Sequence, residues 1–139
     1  MTLPRKTIRA NVATLLAGLP LTGARVFPSR VAPLQEASDL PGLRIYFDGE
    51  QDSAADVHGD LREHAISFRV EIVAQANTGM DDTLDDIAED VRDALLAAPS
   101  TTWLGGVLDQ TFTAEQEIDD EATQPVGICR IGFTVSTYA

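Results

Sequence analysis

The chain has 139 residues, 44% of them hydrophobic and 23% charged, and its 22 acidic against 10 basic residues give a net charge of −12. That length and composition suit one folded domain, 1–139, with a core that needs no disulfide or metal staple. No run of 18 apolar residues suggests a membrane span, and the acidity argues against a surface that neutralises a nucleic-acid backbone.

In chain order, Arg5, Lys6 and Arg9 precede an apolar patch as they do in a secretory signal, but Asn11 and Thr14 interrupt it. Ile8, Val12, Leu15, Leu16 and Leu19 fall at helical spacing instead. The pattern predicts an amphipathic helix capped by Thr2, with Pro4 in its first turn, running to about Ala17 before Gly18 and Pro20. A short strand, Ala24 to Phe27, is closed by Pro28, and residues 29–39 show neither helical nor strand period and read as a structured loop.

The stretch from Leu40 to Ala76 organises the chain. Leu43 to Phe47 reads as a strand, and Ile66, Phe68, Val70 and Ile72 alternate with Ser67, Arg69 and Glu71 in a second strand ending near Gln75. Between them lies a polar stretch at about 48–62 that carries Asp48, Glu50, Asp52, Asp56 and Asp60. Hairpin loops usually span two to five residues, so this stretch reads as an oversized loop, mobile alone and ordered by a partner.

Met80, Leu84, Ile87, Val91 and Leu95 then form a helical stripe ended by Pro99, with Thr78 and Asp81 resembling a capping box. The opposite face is acidic: Asp82, Asp85, Asp86, Glu89 and Asp93, with Asp81 and Asp90, form like-charge pairs four residues apart. Each pair costs a few tenths of a kcal/mol, about one to two in sum. Residues 99–106 form a loop with the single tryptophan, Trp103; strands follow at 107–117 and 126–138, joined by an acidic turn at 118–124. The lone Cys129 sits in the last strand pattern as a core residue. The expected fold is α+β: a single mixed, mainly antiparallel sheet of about five strands with two helices packed on one face, in the order α-β-β-β-α-β-β.

The residues compose no catalytic set, and the chain reads as a non-enzyme. His58 and His64 flank the polar loop without a Ser or Cys in a nucleophile motif, and Gly105-Gly106 is too brief for a phosphate cradle and precedes a strand. Two acidic sets, Asp81, Asp82, Asp85, Asp86 and Glu117, Asp119, Asp120, Glu121, offer oxygen ligands to a divalent cation but lack the spacing of a calcium loop. No cofactor is assigned.

Five segments in order, IRANV at 8–12, TGARVFPSR at 22–30, DLPGLRIYFDG at 39–49, HAISFRVEIV at 64–73 and TLDDIAEDVRDAL at 83–95, resemble the lambda-like tail terminator proteins, the minor tail protein U family of long-tailed bacteriophages. The resemblance covers nearly the whole chain and implies a subunit of a hexameric ring. Such a ring caps the tail tube, ends its polymerisation and presents a surface for head joining, at the head-proximal end of the virion tail after assembly in the host cytoplasm. The implied partners are other copies of the chain, the tail tube protein and a head completion protein. The hairpin tip departs from the family in length and sequence, so no residue role carries over there.

Like charge opposes assembly unless compensated locally. Arg25, Arg30 and Arg44, on or beside the first two strands, are the expected donors to carboxylates of a neighbour, and reversing Arg30 and Arg44 to Glu is expected to abolish the ring while sparing monomer stability. Glu50, Asp52, Asp56, His58 and Asp60 are the expected interface residues of the loop. Two alternatives stay open: a head–tail connector and, from another class, a monomeric ligand-binding domain.

Overall fold

The computed structural model describes residues 3–28, 39–59, 61–75, 78–109, 111–119 and 125–138. Its elements are α1 (Pro4–Leu16), β1 (Val26–Phe27), β2 (Gly42–Ala54), β3 (Arg62–Gln75), α2 (Met80–Leu96), a 3-10 turn (Ser100–Trp103), β4 (Val107–Leu108), β5 (Thr113–Asp119) and β6 (Val126–Tyr138). The six strands form one sheet in the order β1-β2-β3-β6-β4, with β5 also paired to β6. Only β1 runs parallel to its neighbour; the other pairs are antiparallel. The expected α+β architecture is therefore the one observed, with six strands in place of about five.

Both helices lie on one face of the sheet because each has a single apolar stripe to bury. Ile8, Val12 and Leu16 of α1 and Leu84, Ile87, Val91 and Leu95 of α2 are fully buried against Leu43 and Ile45 of β2, Ile66 to Ile72 of β3 and Cys129 to Val135 of β6. Side chains of this size each contribute about 1.5–3 kcal/mol when fully buried.

The helix starts differ from expectation. Leu3, in extended conformation, holds the N-cap position of α1, with Pro4 first in the helix, and Thr2 lies outside the described residues. Gly79 caps α2 in the left-handed region at φ 67°, with no side-chain cap bond, so Thr78 and Asp81 do not form a capping box. A glycine takes that conformation at no steric cost. The segment expected as one strand at 107–117 is two, since β4 pairs with the end of β6 and β5 with its beginning. Most of the structured loop expected at 29–39 and of the acidic turn at 118–124 falls outside the described residues.

The polar stretch read as a loop at 48–62 is largely ladder. Strand pairing continues to Ala54 and Arg62, leaving a turn at 55–61. That turn is closed by Ala55 N donating to Leu61 O at 2.8 Å and by the Asp56 carboxylate, which accepts from the backbone N–H of His58 and of Leu61, both at 3.2 Å. Period-2 hydrophobicity fails as a strand signal here because residues 48–54 place polar side chains on both faces of the strand. A bulge between Phe47 and Gly49 then exchanges the faces of β2.

Cys129 is buried, and its thiol is held above the usual range by that burial and by the negative charge of Asp85. The native state therefore keeps the proton that the unfolded chain releases near pH 8.5, so the stability it contributes is complete below that pH and declines as pH rises through the raised value. Iodoacetamide at pH 8 is expected to label Cys129 far more slowly in the folded protein than in urea; equal rates would contradict the burial.

Candidate interaction surface

The face of the sheet opposite the helices carries a charge ladder. Register sets Arg44 opposite Glu71, Glu71 opposite Arg130 and Arg130 opposite Glu115, so four strands bring alternating signs into one row. Glu71 is 3% exposed; its Oε1 accepts from Arg44 Nε at 2.8 Å and from Arg44 Nη2, and its Oε2 accepts from Arg130 Nε at 2.9 Å. Arg130 also donates to Glu117 at 2.9 Å, while Arg69 bridges Asp48 at 3.1 Å and Glu115 at 2.9 Å. Partial burial works to lower the affinity of Arg130 for its proton, but its bonds to Glu71 and Glu117 outweigh that and raise it. The bond to Asp48 does the same for Arg69.

A second polar cluster lies at the far end of the hairpin, on the helix side. The bulge brings Glu50 and Asp52 to this side beside His64, where Glu50 accepts from Arg5 of α1 at 3.3 Å and meets His64 Nδ1 at 3.3 Å. Asp52 accepts from Arg62 at 2.6 Å. Arg5 also sits over the Phe47 ring at 4.7 Å, so one residue ties α1 to the root of the hairpin arm through charge and ring face.

Several expected interface residues have partners within their own chain. Arg25 donates to Pro41 O at 2.7 Å and Leu21 O at 2.9 Å, which fixes the loop before β1. Arg44 belongs to the ladder. Its guanidinium is engaged by Glu71 and only 20% exposed, which leaves a small part of it to face a neighbour. Glu50 and Asp52 hold the far-end cluster and Asp56 the turn, whereas the His58 side chain is exposed at the tip. Arg30 and Asp60 lie outside the described residues. On α2, Asp82, Asp85, Asp86, Glu89 and Asp93 are all exposed, and Asp81 accepts from Gln116 of β5 at 2.6 Å. Among the described residues, no group of three or more His, Cys, Asp or Glu is gathered closely enough to hold a metal ion, and no helix is long and apolar enough to cross a membrane.

Sequence reasoning missed Glu71, Arg130, Arg69, Arg5 and His64 as a charged system. Glu71, Arg69 and Arg130 alternate outward in their strands like any solvated residue, Arg5 lies in a helix and His64 on the opposite side of the sheet, and only the register and packing bring each to its partners. Two apolar features also emerge. Val57 at the hairpin tip is 97% exposed with Leu61 beside it. At the β4 edge a groove of about 240 Å³ is lined by Leu95, Leu96, Ala98, Trp103, Val107 and Leu108, with Val107 70% exposed.

No protein-family model matches this chain, and no curated protein matches it significantly.

Proposed function

We propose that this protein is a ring-forming assembly protein of the tail-terminator kind, six copies of which cap the tail tube of a long-tailed bacteriophage, stop its polymerisation and offer the surface for head joining. The observation that carries this reading is the presence, on one molecule, of a projecting apolar tip and an unfilled apolar groove. Val57 and Leu61 project beyond the last ladder pair of β2 and β3, and the groove of Leu96, Trp103 and Val107 opens at the opposite edge of the same sheet end. Two dissimilar surfaces that fit one another make head-to-tail contacts, and such contacts close into rings when the rotation allows. The sequence resemblance supports the same reading and supplies the number six. A head–tail connector would use the same geometry with other partners.

Native mass spectrometry at micromolar concentration is expected to show a hexamer, and Val57→Asp to abolish it while leaving the unfolding temperature of the monomer unchanged, because Val57 makes almost no contact within its own chain. Only monomer or two-fold dimer, even with tail tube protein added, overturns the ring.

A further inference from the structure

We propose that the outer edge of β5 is a docking site for an extended, basic segment of a partner protein, which adds to the sheet as a further strand. The proposal does not depend on the ring.

Three observations lead there. First, β5 is a seven-residue strand paired on one side only among the described residues, and Thr113 to Ile118 are all exposed. Alternate N–H and C=O groups along such an edge point outward without a strand partner, which is the template that β-strand addition uses. Second, the two faces of the edge are dissimilar. Register places Glu115 and Glu117 on the open face, opposite Arg130 and Ile128, and Ala114 on the helix side, opposite Ile131. On the helix side a groove of about 380 Å³ runs between α2 and β5, walled by Phe112, Ala114 and Ile131 and lipped by Asp85, Glu89 and Arg92. Third, among the described residues, three cations of the open face, Arg44, Arg69 and Arg130, serve four carboxylates, Asp48, Glu71, Glu115 and Glu117, and the two left most exposed are those of β5.

An incoming strand places successive side chains on opposite faces. Basic residues at every second position would then meet Glu115 and Glu117, and aliphatic residues between them would enter the groove beneath α2. A second copy of this chain is a poor occupant. Its own β5 would set a second Glu115 and Glu117 on the same face as the first, and the far half of β2, unpaired on its outer side among the described residues, carries Asp48 on the open face and Glu50 and Asp52 on the helix side, where Asp85 and Glu89 lip the groove; like charges set opposite one another destabilise a strand pair. The acidic edges therefore discourage sheet-to-sheet polymerisation of the chain with itself while leaving β5 open to a basic strand.

The probe is a synthetic seven-residue peptide of alternating lysine and valine, matched in length to β5. It is compared with a peptide of the same composition whose lysines and valines are in separate blocks, and with the alternating peptide methylated at every backbone nitrogen. Fluorescence anisotropy is expected to show binding of the alternating peptide, weakened by monovalent salt, about tenfold weaker for the block peptide and lost on methylation. Hydrogen exchange is expected to slow at residues 113–119 in the complex. The Glu115→Gln, Glu117→Gln double variant should weaken binding about tenfold. The methylated peptide keeps the proposal testable should that variant not fold. No binding at millimolar peptide, equal binding of the methylated peptide, or protection of α2 without β5 overturns the proposal.

Discussion

Replacing Glu71 with alanine is expected to lower the free energy of unfolding by about 2–3 kcal/mol, a larger loss than any other single charge on this surface should produce. The carboxylate is almost fully buried on a face that no helix covers, because Arg44 and Arg130 fold across it from the strands on either side. Removing it leaves two cations, 20% and 24% exposed, without their common acceptor. Complete burial would put the cost at about 3–5 kcal/mol, and partial access of water to both guanidinium groups reduces it. For a domain of this size such a loss lowers the unfolding temperature by about 10 °C. Glu115→Ala provides the contrast, since an exposed partner of Arg69 and Arg130 should change stability by about 0.5 kcal/mol or less. Arg44→Glu sets a second carboxylate against Glu71 and should destabilise the monomer about as much as Glu71→Ala. That expected loss differs from the sequence-based expectation that reversing Arg30 and Arg44 together spares the fold, and the same measurement separates the two. Urea unfolding followed by circular dichroism decides the matter: a Glu71→Ala protein within about 0.5 kcal/mol of the parent would mean that the ladder is ordinary surface charge.

How far the sequence reveals the fold follows from the range of each signal. The α2 stripe of Met80, Leu84, Ile87, Val91 and Leu95 and the alternation through β3 and β6 are local periodicities, and every one of those apolar positions is buried as expected. What was illegible depends on partners far away in the chain. Nothing near Phe47 announces a bulge; its effect appears only when Glu50 meets Ile66 and Asp52 meets His64 across the ladder. Glu71 and Arg130 are 59 residues apart, and each reads alone as a solvated strand residue. The polar arm reads as a loop for the same reason, since strand pairing there is held by backbone ladders and by the Asp56 turn rather than by an apolar face. Of the candidate interface, the acidic face of α2 was legible because charge four residues apart is visible in one dimension. The groove beneath it was not, because β5 closes it from more than twenty residues away.

The second large effect is expected at Phe68. An aromatic row crosses the sheet beneath the helices: Phe47 of β2 is the register partner of Phe68 of β3, Phe68 stacks on Phe133 of β6 with centroids 5.6 Å apart, and Trp103 of the 3-10 turn meets Phe133 edge-on at 6.1 Å. Phe68 is fully buried at the middle of that row, so Phe68→Ala opens a cavity between three strands and should cost about 3–5 kcal/mol. That is a large share of the roughly 5–15 kcal/mol available to a domain of this size. Phe68→Leu keeps most of the volume and should cost about 1.5 kcal/mol or less beyond the lost ring contact. The stack itself is isolated by a double-mutant cycle of Phe68→Leu with Phe133→Leu, with an expected coupling of about 0.5–1.5 kcal/mol. Because Arg5 lies over Phe47 while also holding Glu50, the row is joined to the root of the hairpin arm. Phe68→Ala should therefore speed hydrogen exchange of the β2–β3 arm together with that of the core, in one transition. Arm amides that keep their parent protection while the core loosens would show that the arm is stabilised independently of the aromatic row.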